Sequence, residues 1–344
     1  MLRSGASRAI LSGMILKRLL ISLCALIALA ACDPLAPDPT AAASQRAARA
    51  PSATPVPPTA VPSLTPTATA TPTITPTPTP TFPPTVTPYV CTDQRGQTVD
   101  LTFFSEIARR DFPYRVYLPP CYAETQRRYP FVVLLHGQGG DHRDWTAFGV
   151  QRAYESALRA GEVPPMILIM PGGAELADAD IFAAARSWES VILDDLLPTV
   201  EKNFCTWNAR EGRAIGGFSR GAFWALSIAF RNPSLFGAVG AHSPALYEDN
   251  APPSVNPLAL ARSIEFPPGA QPRIWVDVGR QDSVWETTAA FADSLTERGI
   301  NVNFTLHPVG DHDISYWTEH ATEYLAFYGQ SWARDVRDLP SCLE

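Results

Sequence analysis

The 344-residue sequence has no apolar run long enough to cross a bilayer as a helix, since its N-terminal run, residues 19–30, falls short of the ~20 residues a span requires. It has no basic stretch beyond the extreme N-terminus and carries a net charge of −7, which argues against nucleic acid as a partner. Cysteine is sparse, six residues in all, and the spacings do not resemble a zinc site. No metal or cofactor is expected. Proline is the exception to this economy: there are 34, and about half fall between Pro34 and Pro88. The composition therefore divides the chain into an unusual leading segment and an ordinary remainder.

The leading segment reads as an address. Lys17 and Arg18 precede the apolar run, and small residues follow it, which is the layout of a secretory signal peptide over residues 1–31. Met14 offers an alternative start. Leu29-Ala30-Ala31-Cys32 resembles a bacterial lipobox, which implies that Cys32 is lipidated and becomes the mature first residue. The alternative is an ordinary signal peptide with an incidental cysteine. Acyl chains on Cys32 suffice for stable anchoring without a transmembrane helix. The expected location is the outer face of the cell membrane or the cell surface, with the lipid as the only membrane contact. Asp33 resembles the inner-membrane retention signal of enterobacteria-like systems. Residues 32–88, rich in Pro, Thr, Ala and Ser, cannot bury a core and read as an extended tether.

Residues 89–344 suit one α/β domain. Residues 101–105 and 114–118 have the pattern of an antiparallel hairpin, and 131–135 and 166–170 are unbroken apolar runs expected of strands covered on both faces. Further strands are expected from Arg213 to the break at the glycine pair Gly216-Gly217, and at 235–241, 273–278 and 302–306. Helical spacing occurs at 152–160, 189–203, 222–230, 285–298 and 315–328. This alternation predicts a mainly parallel sheet with helices on both faces. Cys91, Cys121, Cys205 and Cys342 predict two disulfides. With Cys121 ending the second strand and Cys205 preceding the fifth, both belong at the same end of the sheet, which favours Cys121–Cys205 and leaves Cys91–Cys342.

Gly217-Phe218-Ser219-Arg220-Gly221 has the G-x-S-x-G form of a nucleophile elbow, a sharp strand-to-helix turn that exposes a serine. Glycine and serine are common, so context must support it. A serine hydroxyl needs a base, and the base needs an orienting carboxylate, in the chain order Ser, Asp, His. His312 lies in the polar loop between the last strand and the last helix, and Asp282 lies in the loop after strand 273–278. Both loops leave the C-terminal ends of strands, where such sheets gather catalytic groups. Asp277 lies within a strand, and Asp311 and Asp313 read as loop caps. His307 and His320 read as packing or surface residues. Two backbone amides are needed for an oxyanion. Arg220, at the start of the elbow helix, offers one. The loop His136-Gly137-Gln138-Gly139-Gly140 offers another through Gln138, with His136 supporting the loop.

Taken together, several stretches resemble the esterase D/feruloyl-esterase branch of the α/β-hydrolases. They are Tyr117-Leu118-Pro119-Pro120, Leu134-Leu135-His136-Gly137-Gln138-Gly139-Gly140, residues 189–204, the elbow, Gly279 to Asp282, and Gly310 to His312 with Trp317. The resemblance covers nearly all of residues 99–330. It implies an α/β-hydrolase fold and serine carboxyl-ester hydrolysis through an acyl-enzyme. The family's Pro-Pro-Gly-Tyr is here Pro119-Pro120-Cys121-Tyr122. Arg220 stands where Met or Gln is frequent, and its guanidinium has two expected uses, a structural salt bridge or an acidic substrate group.

Specificity should come from loops at the strand C-termini. His136, Trp188, His242 and Trp285 are the candidates for touching substrate, with Trp145 beside them and residues 242–272 as an overhanging segment. The implied substrates are small-molecule or polysaccharide esters, including acyl or feruloyl groups on carbohydrate. An acyltransferase of the mycolyltransferase type and a non-catalytic surface-binding module are the alternatives.

Overall fold

The computed structural model describes residues 91–343 except Gln94. The expected signal peptide, Cys32 and the tether lie outside the described residues. No described helix is long and apolar enough to cross a membrane. An eight-stranded sheet has the order β1-β2-β4-β3-β5-β6-β7-β8. These are Gln97–Ser105, Arg110–Leu118, Phe131–Leu135, Ile167–Pro171, Arg213–Phe218, Ala238–His242, Arg273–Gly279 and Asn303–His307, numbered β1 to β8 in chain order. β1 and β2 form the antiparallel hairpin, β2 meets β4 antiparallel, and the remaining pairs are parallel.

Every residue of β3 and β4 is buried, as their unbroken apolar sequence requires. The elbow helix Arg220–Arg231 and the helical run 188–203 pack on one face. Val150–Arg159 and Ile314–Gly329 cover the other. The register aligns the strand ends that matter: Phe218 sits opposite His242, His242 opposite Asp277, and Gly279 opposite His307. Loops leaving β5, β6, β7 and β8 therefore meet at one edge.

Three expectations are corrected. The helix over 189–203 is interrupted by π-helical residues Val191–Leu196, where the Leu197 amide reaches back to Ile192. Pro198 follows and has no N–H to donate, so the chain ahead of it widens its turn. The strand expected at 235–241 begins at Ala238, after a turn closed by Leu235 N–H to Asn232 O, and it includes His242. The disulfides are Cys91–Cys121 and Cys205–Cys342, with Cα–Cα distances of 5.7 and 5.8 Å. Cys121 and Cys205 do share an end of the sheet, but β4 and β3 stand between their strands. The β1–β2 register brings the chain before Gln97 beside the end of β2, next to Cys121. The C-terminal tail runs along residues 126–128, through Arg128 N–H to Pro340 O and Cys342 N–H to Gln126 O. Cys205 lies on that segment's other side, where its carbonyl accepts from Tyr129.

Candidate active site

At the end of β5 the chain turns sharply, and Ser219 takes φ 54° and ψ −120°, a conformation costly for any residue with a side chain. The flanking glycines make the turn possible. A Cβ on Gly217 would lie 2.4 Å from the Gly221 carbonyl carbon, and one on Gly221 would lie 2.4 Å from Leu135 O. Ser219 is held from below by its amide, which donates to His242 O at 2.9 Å.

His312 Nε2 is 2.9 Å from Ser219 Oγ, and His312 Nδ1 is 2.9 Å from Asp282 Oδ2. Asp282 Oδ1 accepts from the Val284 amide at 2.9 Å, and the carboxyl is fully buried. Burial opposes its charge, but the hydrogen bonds from His312 and Val284 outweigh that cost and hold it below the usual carboxylate range. The loops bearing Asp282 and His312 are clasped together. Gln281 N–H donates to Gly310 O at 3.0 Å, and Gly310 N–H donates to Gln281 Oε1 at 2.7 Å. Trp317 sets its ring edge-on to His312, 5.2 Å between centres, and packs on Phe218. Asp313 caps the last helix through Tyr316 N–H, and Asp311 accepts from His312 N–H.

The glycine loop approaches the same point. A Cβ on Gly137 would stand 3.4 Å from the Cβ of Ser219. Gln138 is exposed beside it. His136 is buried under this loop, where Nε2 accepts from Gly173 N–H at 2.9 Å. Its proton is therefore on Nδ1, which donates to Gly137 O at 2.7 Å.

Residues 105–333 match the family described as "Putative esterase". The chain belongs to that family. An esterase of Mycobacterium tuberculosis is 36% identical over 132 residues, 37% of this chain and 28% of that protein. The endo-1,4-beta-xylanase/feruloyl esterase of Xylanibacter ruminicola is 32% identical over 162 residues, 44% of this chain and 22% of that protein. The chain thus spans about a quarter of the length of these curated relatives. Among solved structures, a ferulic acid esterase superposes with TM-score 0.60 at 22% identity, covering 69% of this chain and 98% of that one. The S-formylglutathione hydrolase FrmB of Staphylococcus aureus does so with TM-score 0.57 at 18% identity, covering 68% and 99%. These likenesses establish the α/β-hydrolase fold that the sequence led us to expect.

Around the esterase-family core, three of the residues expected to touch substrate are turned away from it. Trp188 is buried against Phe112 and Gly173. His242 is fully buried because it belongs to β6 and points into the helix layer, where Nδ1 meets Asp277 Oδ1 at 2.6 Å and Nε2 meets Tyr328 OH at 2.9 Å. His136 is occupied as described. Trp145 is also interior and donates to Leu135 O. Trp285 remains half-buried, with the Arg280 guanidinium 4.1 Å above its ring. Arg220 makes a salt bridge to Asp180 at 2.7 Å and stacks on Phe223, 4.5 Å away. Residues 249–255 of the expected overhang form one wall of a cleft of about 660 Å³, and Asp180 and Phe182 form another. Asp180 and Phe182 lie in a loop that carries no motif in the sequence.

Proposed function

We propose that this chain is a serine esterase that cleaves carboxylic esters through an acyl-enzyme, with Ser219 as nucleophile, His312 as base and Asp282 as its orienting carboxylate. The observation that carries this reading is the continuous hydrogen-bonded line from Asp282 through His312 to Ser219 Oγ. In the first step His312 Nε2 takes the Ser219 proton while Oγ attacks the carbonyl carbon. The amides of Arg220 and Gln138 receive the oxyanion. Arg220 begins a helix, so its N–H has no acceptor within the helix, and the helix dipole adds to its pull. Collapse of the intermediate expels the alcohol, which takes the proton from His312. Water then attacks the acyl-enzyme by the same route in reverse.

Neutral substrates suit the surroundings. Arg220 is already paired with Asp180, so its guanidinium is taken up before an anionic substrate group could meet it. Acyl or feruloyl groups on carbohydrate fit this, and the similarity to a xylanase/feruloyl esterase supports the same class. Residues 1–88 favour a lipid-anchored enzyme on the outer face of the membrane or cell surface. A fluorophosphonate probe should label Ser219 stoichiometrically. A folded protein that gains no adduct would refute the assignment. Hydrolysis of aryl acetates in the presence of added alcohols then measures partition to water, and dominant transfer to the alcohol would replace hydrolase with acyltransferase.

A further inference from the structure

His307, which the triad does not use, closes β8, and His320 and Glu323 stand one turn apart on the helix Ile314–Gly329. Glu323 faces both imidazoles, with Oε1 3.2 Å from His320 Nδ1 and Oε2 4.0 Å from His307 Nε2. The two rings lie 3.8 Å apart between centres. One ligating atom from each residue falls within 4.8 Å of the other two. The imidazoles are largely buried while the carboxylate side chain is 53% exposed, so the cluster opens to solvent on one side. His307 Nε2 is itself buried and meets no hydrogen-bond partner among the described residues. A buried polar nitrogen left this way points to a ligand that protein atoms do not supply.

We propose that His307, His320 and Glu323 bind a divalent transition metal of the zinc class. Two imidazole nitrogens and one carboxylate oxygen form a donor set that suits zinc, whereas calcium and magnesium prefer oxygen ligands alone. Zinc–nitrogen and zinc–oxygen bonds near 2.1 Å at tetrahedral angles put ligand atoms roughly 3.3 Å apart. The His320–Glu323 pair, hydrogen-bonded at 3.2 Å, already has that spacing, and His307 reaches it by a shift of up to about 1.5 Å with its ring turned out of the stack on His320. Water takes the fourth position on the open side. The other clustered set, Asp93, Cys121 and Glu124, cannot serve in the same way, because Cys121 is bonded to Cys91.

The position gives the site a use. His307 and His320 bracket residues 308–319, the segment that carries His312. A metal between them joins the end of β8 to the last helix and ties the two ends of that segment together. The proposal does not depend on ester hydrolysis, and it departs from the expectation of a metal-free chain.

The test uses the full chain stripped with a chelator. Titration with Zn²⁺ by calorimetry, and with Co²⁺ by visible absorption, should give one ion per chain and a tetrahedral Co²⁺ spectrum. Glu323→Gln, at an exposed side chain, should weaken binding about tenfold or more, since loss of a mere outer-shell partner already costs that much. Glu297→Gln, on a different helix, should leave it unchanged. Saturating Zn²⁺ should raise the melting temperature of the parent and not that of Glu323→Gln. Absence of saturable binding, or equal binding by Glu323→Gln and the parent, overturns the proposal.

Discussion

At the scale of single residues, Ser219, His312 and Asp282 act as one unit in the proposed mechanism, so removing the nucleophile should cost nearly all that the three supply. Ser219→Ala is expected to lower kcat on the order of a hundred-thousand-fold, with the fold intact by circular dichroism. Asp282 adds a dependence on pH. Its native carboxyl titrates below the unfolded one, so its ionised form stabilises the fold above the unfolded value of about 3.9. That contribution is lost as pH falls through the native value. The melting-temperature gap between parent and Asp282→Asn should be full at neutral pH and close below about pH 4. Arg220 is different, because the proposed mechanism uses its amide while its side chain bonds Asp180. Arg220→Met keeps the amide while removing the bridge to Asp180. It should cost about 1–3 kcal/mol in urea unfolding, with a smaller effect on kcat than Ser219→Ala.

At the scale of elements, the elbow depends on space as much as on conformation. A Cβ at Gly217 would meet Gly221 backbone atoms that cannot move without dislodging the helix. Gly217→Ala should destabilise by about 3 kcal/mol or more, measured by chemical denaturation. The strands around the elbow were legible because their signals are local: all five residues of β3 are apolar, and the glycines mark the turn where it occurs. The meeting of Ser219, Asp282 and His312 follows from loops after parallel strands converging at one edge. What escaped the sequence depended on facing. Assigning His242 to a loop turned its side chain toward substrate, whereas one more residue of strand pointed it at Asp277 and Tyr328. Trp188 is a large aromatic near the mouth in sequence but in the core in space. The π-helical turn needed the effect of Pro198 on the residues ahead of it to be weighed within a convincing helical pattern. The meeting of His307 with His320 required the packing of the last helix on β8, which no spacing in the sequence encodes.

For the whole molecule, the disulfides are the clearest case of long-range information. Cys121 and Cys205 lie at one end of the sheet, yet the lateral order of strands decides who meets whom, and β4 and β3 separate them. Non-reducing peptide mapping should recover Cys91–Cys121 and Cys205–Cys342. The second closes a separation of 137 residues, and Cys205→Ser with Cys342→Ser should lower stability by about 2–5 kcal/mol.

These bonds have a further consequence. Cys91 and Cys342 both lie at the end of the sheet where the parallel strands begin, while Ser219 lies where they finish. The domain therefore has a handle and a mouth at opposite poles. A fluorescent protein, a bead or a second catalytic module joined at either end of residues 91–343 attaches to the handle and leaves the mouth unobstructed. Immobilised in that way, the domain should retain the kcat/KM of the free protein even toward substrates as bulky as a polysaccharide chain.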